Sequence, residues 1–127
     1  MIVIDSSAWL HYFLDDALAD AFAVYAEGDE PILVPAVVIY EVYKTLRREV
    51  SQELADEAAL HLSRLTVVPF DSDDALAAAD TSLKHGLPFA DSMIYSVAEA
   101  YEATLVTSDT HFAGLPGVEY IGPETTP

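Results

Sequence analysis

Residues 101–112 read YEATLVTSDTHF, and they place a carboxylate shortly after an apolar strand. The strand is TLVT at residues 104–107, and Asp109 lies in the polar turn that follows it. The N-terminus repeats this arrangement, because MIVIDSSAW at residues 1–9 puts Asp5 directly after IVI. Since parallel strands end at the same edge of a sheet, we expect the two acids to lie at one edge.

The rest of the chain alternates short apolar strands with longer helices, which predicts a single α/β domain over residues 1–127. The sheet is expected to be mainly parallel, with about five strands flanked by helices. Ser6 or Ser7 is expected to cap the first helix, and Ser51 the fourth. The predicted strands are residues 2–5, 32–35, 66–70, 104–107 and 118–121, and the predicted helices are residues 8–14, 15–27, 36–50, 51–65, 71–86 and 87–103.

The composition limits the kinds of site that the chain can build. Of 127 residues, 52% are apolar and none is cysteine. Disulfides and thiolate metal sites are therefore excluded, and oxygen or imidazole must hold any metal. No apolar run approaches the roughly 20 residues that span a bilayer, and no basic segment precedes the first strand. We therefore expect a soluble, cytoplasmic protein without a membrane partner.

The charge is strongly negative, since 22 acids face 5 basic residues and the formal net charge is −17. Such a surface repels nucleic acid at long range. One hypothesis is a salt-adapted source, where about 1 M salt screens charges within about 3 Å. The other is that the protein avoids polyanions altogether.

Four acids stand out because apolar sequence surrounds them, whereas most of the others lie in polar turns or on helix faces. They are Asp5, Glu41, Asp91 and Asp109. Burying an unpaired carboxylate costs several kcal/mol, so such groups are paired, protonated or bound to a cation. With so few basic residues to pair with them, a divalent cation is favoured. Hard oxygen ligands suit Mg²⁺ or Mn²⁺. Two or more carboxylates around such an ion are the usual means by which proteins hydrolyse phosphodiesters.

Each of these acids also has a structural explanation. Asp5 could cap the following helix, and Asp109 could form an Asx turn. Asp91 could be an acid in the first turn of a helix, where the helix dipole stabilises its charge. Glu41 has no cap role in mid-helix, and its structural alternative is an ion pair with Lys44.

A second group of residues could contact substrate phosphates. Lys44 and Arg48 lie on nearly the same helix face as Glu41. Ser7 lies two residues after Asp5, at a helix N-terminus. His111 lies two residues from Asp109 and is not included in the predicted site.

The sequence resembles the PIN-domain nucleases, particularly single-domain VapC-like toxins. The matching stretches occur in family order and cover nearly the whole chain. They are MIVIDSSAW (1–9), VPAVVIYEV (34–42), LPFADSMIYSVAEAYEATLVTSDTHF (87–112) and VEYI (118–121).

This resemblance implies a Rossmann-like PIN domain and Mg²⁺- or Mn²⁺-dependent endoribonuclease activity. It matches the family's acidic quartet to Asp5, Glu41, Asp91 and Asp109, and its frequent Ser or Thr to Ser7. It also implies a homodimer, a small antitoxin that covers the site, and structured RNA substrates that include tRNA. The chain departs from the family in having few lysines and arginines.

Two other functions are compatible with the same residues. A non-catalytic PIN-like binding module would use the acidic pocket to receive an arginine from a partner protein. An aspartyl-phosphate phosphohydrolase would use Asp5 as its nucleophile. The second is disfavoured because Ser7 stands where such enzymes carry another aspartate.

Overall fold

A computed structural model describes residues 1–123, and these form the predicted α/β architecture. Five strands make one sheet, flanked by six α-helices, and a short 3-10 helix follows the fourth strand. In chain order the elements are β1 (Ile2–Ile4), α1 (Ser6–Leu14), α2 (Ala19–Ala26), β2 (Ile32–Pro35), α3 (Ala36–Glu49), α4 (Gln52–Ser63), β3 (Thr66–Val68), α5 (Ser72–His85), α6 (Phe89–Ala100), β4 (Thr104–Thr107), the 3-10 helix (Thr110–Phe112) and β5 (Val118–Tyr120).

The strand order explains where a site can form. The sheet runs β3-β2-β1-β4-β5, and every strand pairing within residues 1–123 is parallel. The chain builds outward from β1 to β3 on one side, then crosses back to β4 and continues to β5 on the other. The carboxyl ends of β1 and β4 therefore flank the switch point, where open α/β sheets place their ligands.

The core is built from the central strands and the helix faces that pack on them. Val3, Val34 and Leu105 are fully buried, and Trp9 of α1 is equally inaccessible and stacks on Phe13. Burying one such aliphatic side chain contributes about 1.5–3 kcal/mol. This apolar centre holds the strand ends in fixed positions.

The spacing of apolar residues in helix α3 places Glu41 beside the buried face of the helix and not within it. Val38, Val42 and Leu46 recur every four residues and are fully buried. Because residues four apart share a helix face, this spacing fixes the rotation of α3 about its axis. Glu41 consequently lies at the border of the buried face and is partly covered, while Lys44 is exposed.

Some predicted helix boundaries are confirmed, such as the end of α1 at residue 14 and the start of α3 at residue 36, and others are wrong. For example, α6 spans Phe89–Ala100 instead of residues 87–103. Ser51 caps α4 by accepting a hydrogen bond from the Leu54 N–H at 3.0 Å. The first helix includes both serines, so Asp5 rather than Ser6 or Ser7 occupies the N-cap position. The second helix begins at Ala19 instead of residue 15. Asp16 Oδ1 accepts from the Leu18 N–H at 3.0 Å, and this local turn delays the helix.

No helix within residues 1–123 is long and apolar enough to cross a membrane. The predicted domain bounds include residues 124–127, which lie outside the described part of the chain. Those bounds therefore stay a prediction.

Candidate active site

The structure brings the four predicted acids together at the switch point of the sheet. Asp5 follows β1, Asp109 follows β4, Glu41 comes from α3 and Asp91 from the first turn of α6. Their charges act on one another: after burial, repulsion from Asp109, Asp5 and Glu41 raises the pKa of Asp91. Burial, and after it the charges of Asp5 and Asp109, likewise raise the pKa of Glu41. Residues far apart in sequence thus form one acidic pocket.

Asp5 is the most deeply buried of the four, with 1% of the residue exposed. Its Oδ2 accepts hydrogen bonds from Ser7 Oγ at 2.7 Å and from Thr107 Oγ1 at 2.8 Å. Burial raises the pKa of Asp5, and the two hydroxyl groups act in the opposite direction. These donors also orient the carboxylate. Both bind the same oxygen, Oδ2, one from α1 and the other from the end of β4. Asp5 occupies the N-cap position of α1, as its structural explanation proposed, but its side chain makes no cap hydrogen bond, so capping does not account for the burial of the carboxylate.

The same hydroxyl groups tie the β4 turn to the start of α1. Thr107 Oγ1 accepts from the Asp109 N–H at 2.9 Å, and Ser7 Oγ accepts from the Ser108 N–H at 3.2 Å. Ser7 and Thr107 oxygens are themselves 3.3 Å apart. The turn that carries Asp109 is therefore fixed by the groups that hold Asp5.

Glu41 is positioned by a serine and not by a basic residue. Ser6 Oγ donates to Glu41 Oε1 at 2.8 Å and lies 3.4 Å from Asp5 Oδ1. Lys44 instead places its Nζ 3.3 Å from the Tyr40 hydroxyl and 5.3 Å from the centre of that ring. The predicted structural alternative, a Glu41–Lys44 ion pair, is therefore wrong.

Asp91 and Asp109 meet at a histidine that the sequence interpretation did not include. His111 Nδ1 lies 3.1 Å from Asp91 Oδ2 and 3.0 Å from Asp109 Oδ1. Burial and the charges of Asp109 and Asp5 raise the pKa of Asp91 to about 7, even though His111 acts in the opposite direction. Asp109 also accepts from the His111 N–H at 2.9 Å, so its Asx-turn role coexists with its place in the pocket. The two-residue spacing of Asp109 and His111 was the available signal.

Three of the five lysines and arginines line a groove on α3, on the same helix as Glu41. The groove has a volume of about 850 Å³ and contains both aromatic and basic side chains. We call it the α3 groove. Its lining residues are Ile39, Tyr40, Tyr43, Lys44, Arg47, Arg48 and Gln52.

The donor set of the pocket fits a divalent cation. Single ligand atoms from Asp91, Asp109 and His111 lie within 4.8 Å of one another. The other acids of the pocket add carboxylate oxygens, which are the ligands that Mg²⁺ and Mn²⁺ take most readily. The residues present are therefore chemically suited to such an ion.

Solved structures share this fold. A toxin–antitoxin complex from Klebsiella pneumoniae has 19% identity and a TM-score of 0.79, covering 95% of this chain and 100% of the other. Mycobacterium tuberculosis VapC20, described as a sarcin–ricin loop cleaving toxin, has 22% identity and a TM-score of 0.78, covering 94% and 98%. VapBC2 from Rickettsia felis, bound to a promoter DNA fragment, has 19% identity and a TM-score of 0.72, covering 98% and 100%. At these identities the likeness shows the fold alone.

Sequence comparison adds the family. No curated protein matches the sequence significantly. The family model described as PIN domain, however, matches residues 2–118. Because this match spans most of the chain and agrees with the parallel five-stranded sheet, the chain belongs to the PIN-domain family.

Proposed function

We propose that this protein is a Mg²⁺- or Mn²⁺-dependent endoribonuclease and the toxin of a toxin–antitoxin pair. The observation that carries the proposal is the convergence of four carboxyl groups without a lysine or arginine to neutralise them. Within residues 1–123, the basic side chain at ion-pair distance from any of the four is His111 alone. Membership of the PIN-domain family, whose nuclease members include VapC-like toxins, supports the same function.

In this proposal Asp5, Asp91 and Asp109 hold the cation directly or through water, and Glu41 binds it or orients the attacking water. When bound, the ion offsets the charge of the scissile phosphate and lowers the pKa of water. The hydroxyl groups of Ser6, Ser7 and Thr107 have a separate task. They fix the directions of the Asp5 and Glu41 carboxylates before substrate arrives, so little reorganisation is needed.

Glu41 also has properties that suit a proton acceptor. Burial and then the neighbouring acids raise its pKa, an effect that a bound cation would oppose, and Ser6 Oγ orients the carboxylate by donating to Oε1 at 2.8 Å. Water attacks phosphorus in line, and the bond from phosphorus to O3′ breaks as the new P–O bond forms. Glu41 takes a proton from the attacking water, and a solvent water gives a proton to the departing O3′, so the products carry a 5′-phosphate and a 3′-hydroxyl.

The α3 groove supplies the electrostatic attraction that the rest of the surface lacks. Lys44 and Arg48 are exposed on the helix that carries Glu41. We assign them to phosphates that flank the scissile bond. The Ser7 hydroxyl donates to Asp5, so we assign the phosphate nearest the pocket to the Ser7 backbone N–H in the first turn of α1. RNA, including tRNA, is the proposed substrate, and the cytoplasm the proposed location.

A protein partner is proposed from the same electrostatics. One structure with this fold is a toxin–antitoxin complex, and an acidic pocket with raised carboxyl pKa values is well suited to receive a basic side chain. We propose that a small antitoxin covers the pocket and that the toxin is a homodimer. If the chain were a non-catalytic binding module, the pocket would serve this contact alone.

A cleavage assay tests the nuclease directly. Purified protein is incubated with tRNA, ribosomal RNA fragments and unstructured RNA in Mn²⁺, in Mg²⁺ or in chelator. We expect metal-dependent cleavage that Asp5→Asn and Asp91→Asn abolish, with 5′-phosphate products. Asp80→Asn removes one exposed charge from α5 and should cleave normally. Full activity in both pocket variants would refute the mechanism, and partner binding without turnover would favour the binding module.

A further inference from the structure

We infer that His111 is a direct ligand of the metal and forms, with Asp91 and Asp109, a mixed nitrogen–oxygen site that favours Mn²⁺ over Mg²⁺. The inference deepens the proposed function and rests on its metal site. It concerns a residue that neither the sequence interpretation nor the predicted acidic quartet includes.

The positions of three ligand atoms support it. His111 Nδ1 lies 3.1 Å from an Asp91 oxygen and 3.0 Å from an Asp109 oxygen. Neighbouring ligand atoms of an octahedral ion with bonds of about 2.1 Å are separated by about 3.0 Å. The two distances therefore equal two edges of an octahedron, and an ion can be held once Nδ1 directs its lone pair inward.

The main chain that carries the imidazole is anchored at the edge of the pocket. The His111 N–H donates to Asp109 Oδ1 at 2.9 Å, and the next residue, Phe112, is fully buried and stacks on Tyr95. The His111 side chain itself is 59% exposed. An exposed imidazole whose backbone is anchored on both sides can reach the pocket from the solvent edge without disturbing the core.

The ligand types imply the selectivity. Mg²⁺ favours all-oxygen ligands and retains its waters, whereas an imidazole nitrogen is a good ligand for first-row transition metals. A nitrogen donor added to carboxylate oxygens therefore improves Mn²⁺ binding more than Mg²⁺ binding. An asparagine at this position would place its amide oxygen near the place that Nδ1 occupies in the wild type. All ligands of the site would then be oxygen atoms.

The chain offers a matched control. His11 lies 2.6 Å from one carboxylate, that of Asp16, in an exposed contact between α1 and the turn that precedes α2. His11→Asn thus removes one imidazole beside one carboxylate, far along the sequence from Asp109. His111→Asn and His11→Asn are compared in the full chain, purified without a histidine tag.

Two measurements on these proteins test the inference. Calorimetric titration gives the Kd of Mn²⁺ and of Mg²⁺, and pulsed electron paramagnetic resonance detects imidazole nitrogen coupled to bound Mn²⁺. We expect nitrogen coupling in the wild type and in His11→Asn but not in His111→Asn. We expect His111→Asn to weaken Mn²⁺ binding by about tenfold or more and Mg²⁺ binding by clearly less.

Each remaining outcome overturns the inference in a recognisable way. Absence of nitrogen coupling in wild-type protein saturated with Mn²⁺ excludes His111 as a ligand, even if the protein cleaves RNA. An equal loss of affinity for both ions assigns His111 a positioning role instead. Failure of the wild type to bind either ion would overturn this inference and the proposed metal-dependent function together.

Discussion

Replacing Asp91 with asparagine should stabilise the fold when chelator is present and remove its stabilisation by Mn²⁺. The side chain is 14% exposed and is repelled by three other carboxylates in the pocket. Asparagine has nearly the same shape and no charge, so the variant keeps the packing and loses the repulsion. A structural acid at a helix N-terminus would show the opposite effect, since its removal would weaken α6.

The magnitude follows from the pKa of Asp91, which burial and then the charges of Asp109 and Asp5 raise from 3.8 to about 7. Because the folded state holds this proton more tightly, the stability that the group contributes is fully present below pH 3.8. It is lost as the pH rises through about 7. A shift of about 3 units corresponds to at most about 4 kcal/mol, and solvent screening reduces the expected gain to about 2 kcal/mol at pH 8.

Mn²⁺ should reverse the order of stability. An ion at a hundredfold excess over its Kd adds about 2.7 kcal/mol to the free energy of unfolding of a protein that binds it. The wild type should gain this amount, and Asp91→Asn should gain much less because it lacks one ligand. In chelator the variant is therefore the more stable protein, and in saturating Mn²⁺ the wild type is.

Urea denaturation measures both effects, followed by the fluorescence of Trp9, the single and fully buried tryptophan. Asp80→Asn, which removes an exposed charge from α5, controls for the general benefit of lowering the net charge. If Asp91→Asn is less stable than the wild type in chelator at pH 8, the claim that repulsion within the pocket destabilises the fold is refuted. Equal gains from Mn²⁺ in both proteins would show that Asp91 is not a ligand.

Three further predictions follow from other contacts. Thr107→Val should lower the free energy of unfolding, measured in urea, by about 1–3 kcal/mol because Asp5 loses a hydrogen-bond donor. Thr107→Ser keeps the hydroxyl group and should not lower it, so equal losses in the two variants would contradict this prediction. Replacing Lys44 and Arg48 with glutamine should weaken RNA binding and reduce its salt slope by about 1.4, measured by titration at several KCl concentrations. Lys84→Gln on α5 is the control, and an equal effect there would remove the α3 groove from substrate binding. Finally, the melting temperature should rise between about 0.05 and 1 M KCl as charge repulsion is screened, so a flat or falling profile would count against dominant self-repulsion.

Much of the fold and the identity of the four acids could be predicted because both depend on local apolar patterns. A strand such as IVI or TLVT is readable from its residues, and parallel order then places the acids that follow at one edge. The sheet is in fact entirely parallel within residues 1–123. The metal-binding roles of Asp5, Glu41, Asp91 and Asp109 stay predictions, although the structure brings these residues together.

The contacts that could not be predicted are those set by tertiary geometry. Ser6 was expected to serve as a helix cap, yet its hydroxyl reaches Glu41, which is 35 positions away in sequence. His111 was not included because its position between two carboxylates depends on how α6 meets the turn after β4. The delayed start of α2 depends on a local hydrogen bond to Asp16 that competes with helix formation.

The pocket combines contacts with opposite effects on stability, and this distinguishes a binding site from a structural ion cluster. In a structural cluster, removing any member leaves a buried partner unsatisfied and destabilises the fold. Here the acids repel one another, while Ser7 and Thr107 stabilise the Asp5 carboxylate. Removing the charge of Asp91 should therefore stabilise the protein in chelator, and removing a hydroxyl group that binds Asp5 should destabilise it. The buried strands β1 and β4 offset the repulsion, so the fold can keep a pocket whose charges are balanced only when a cation enters it.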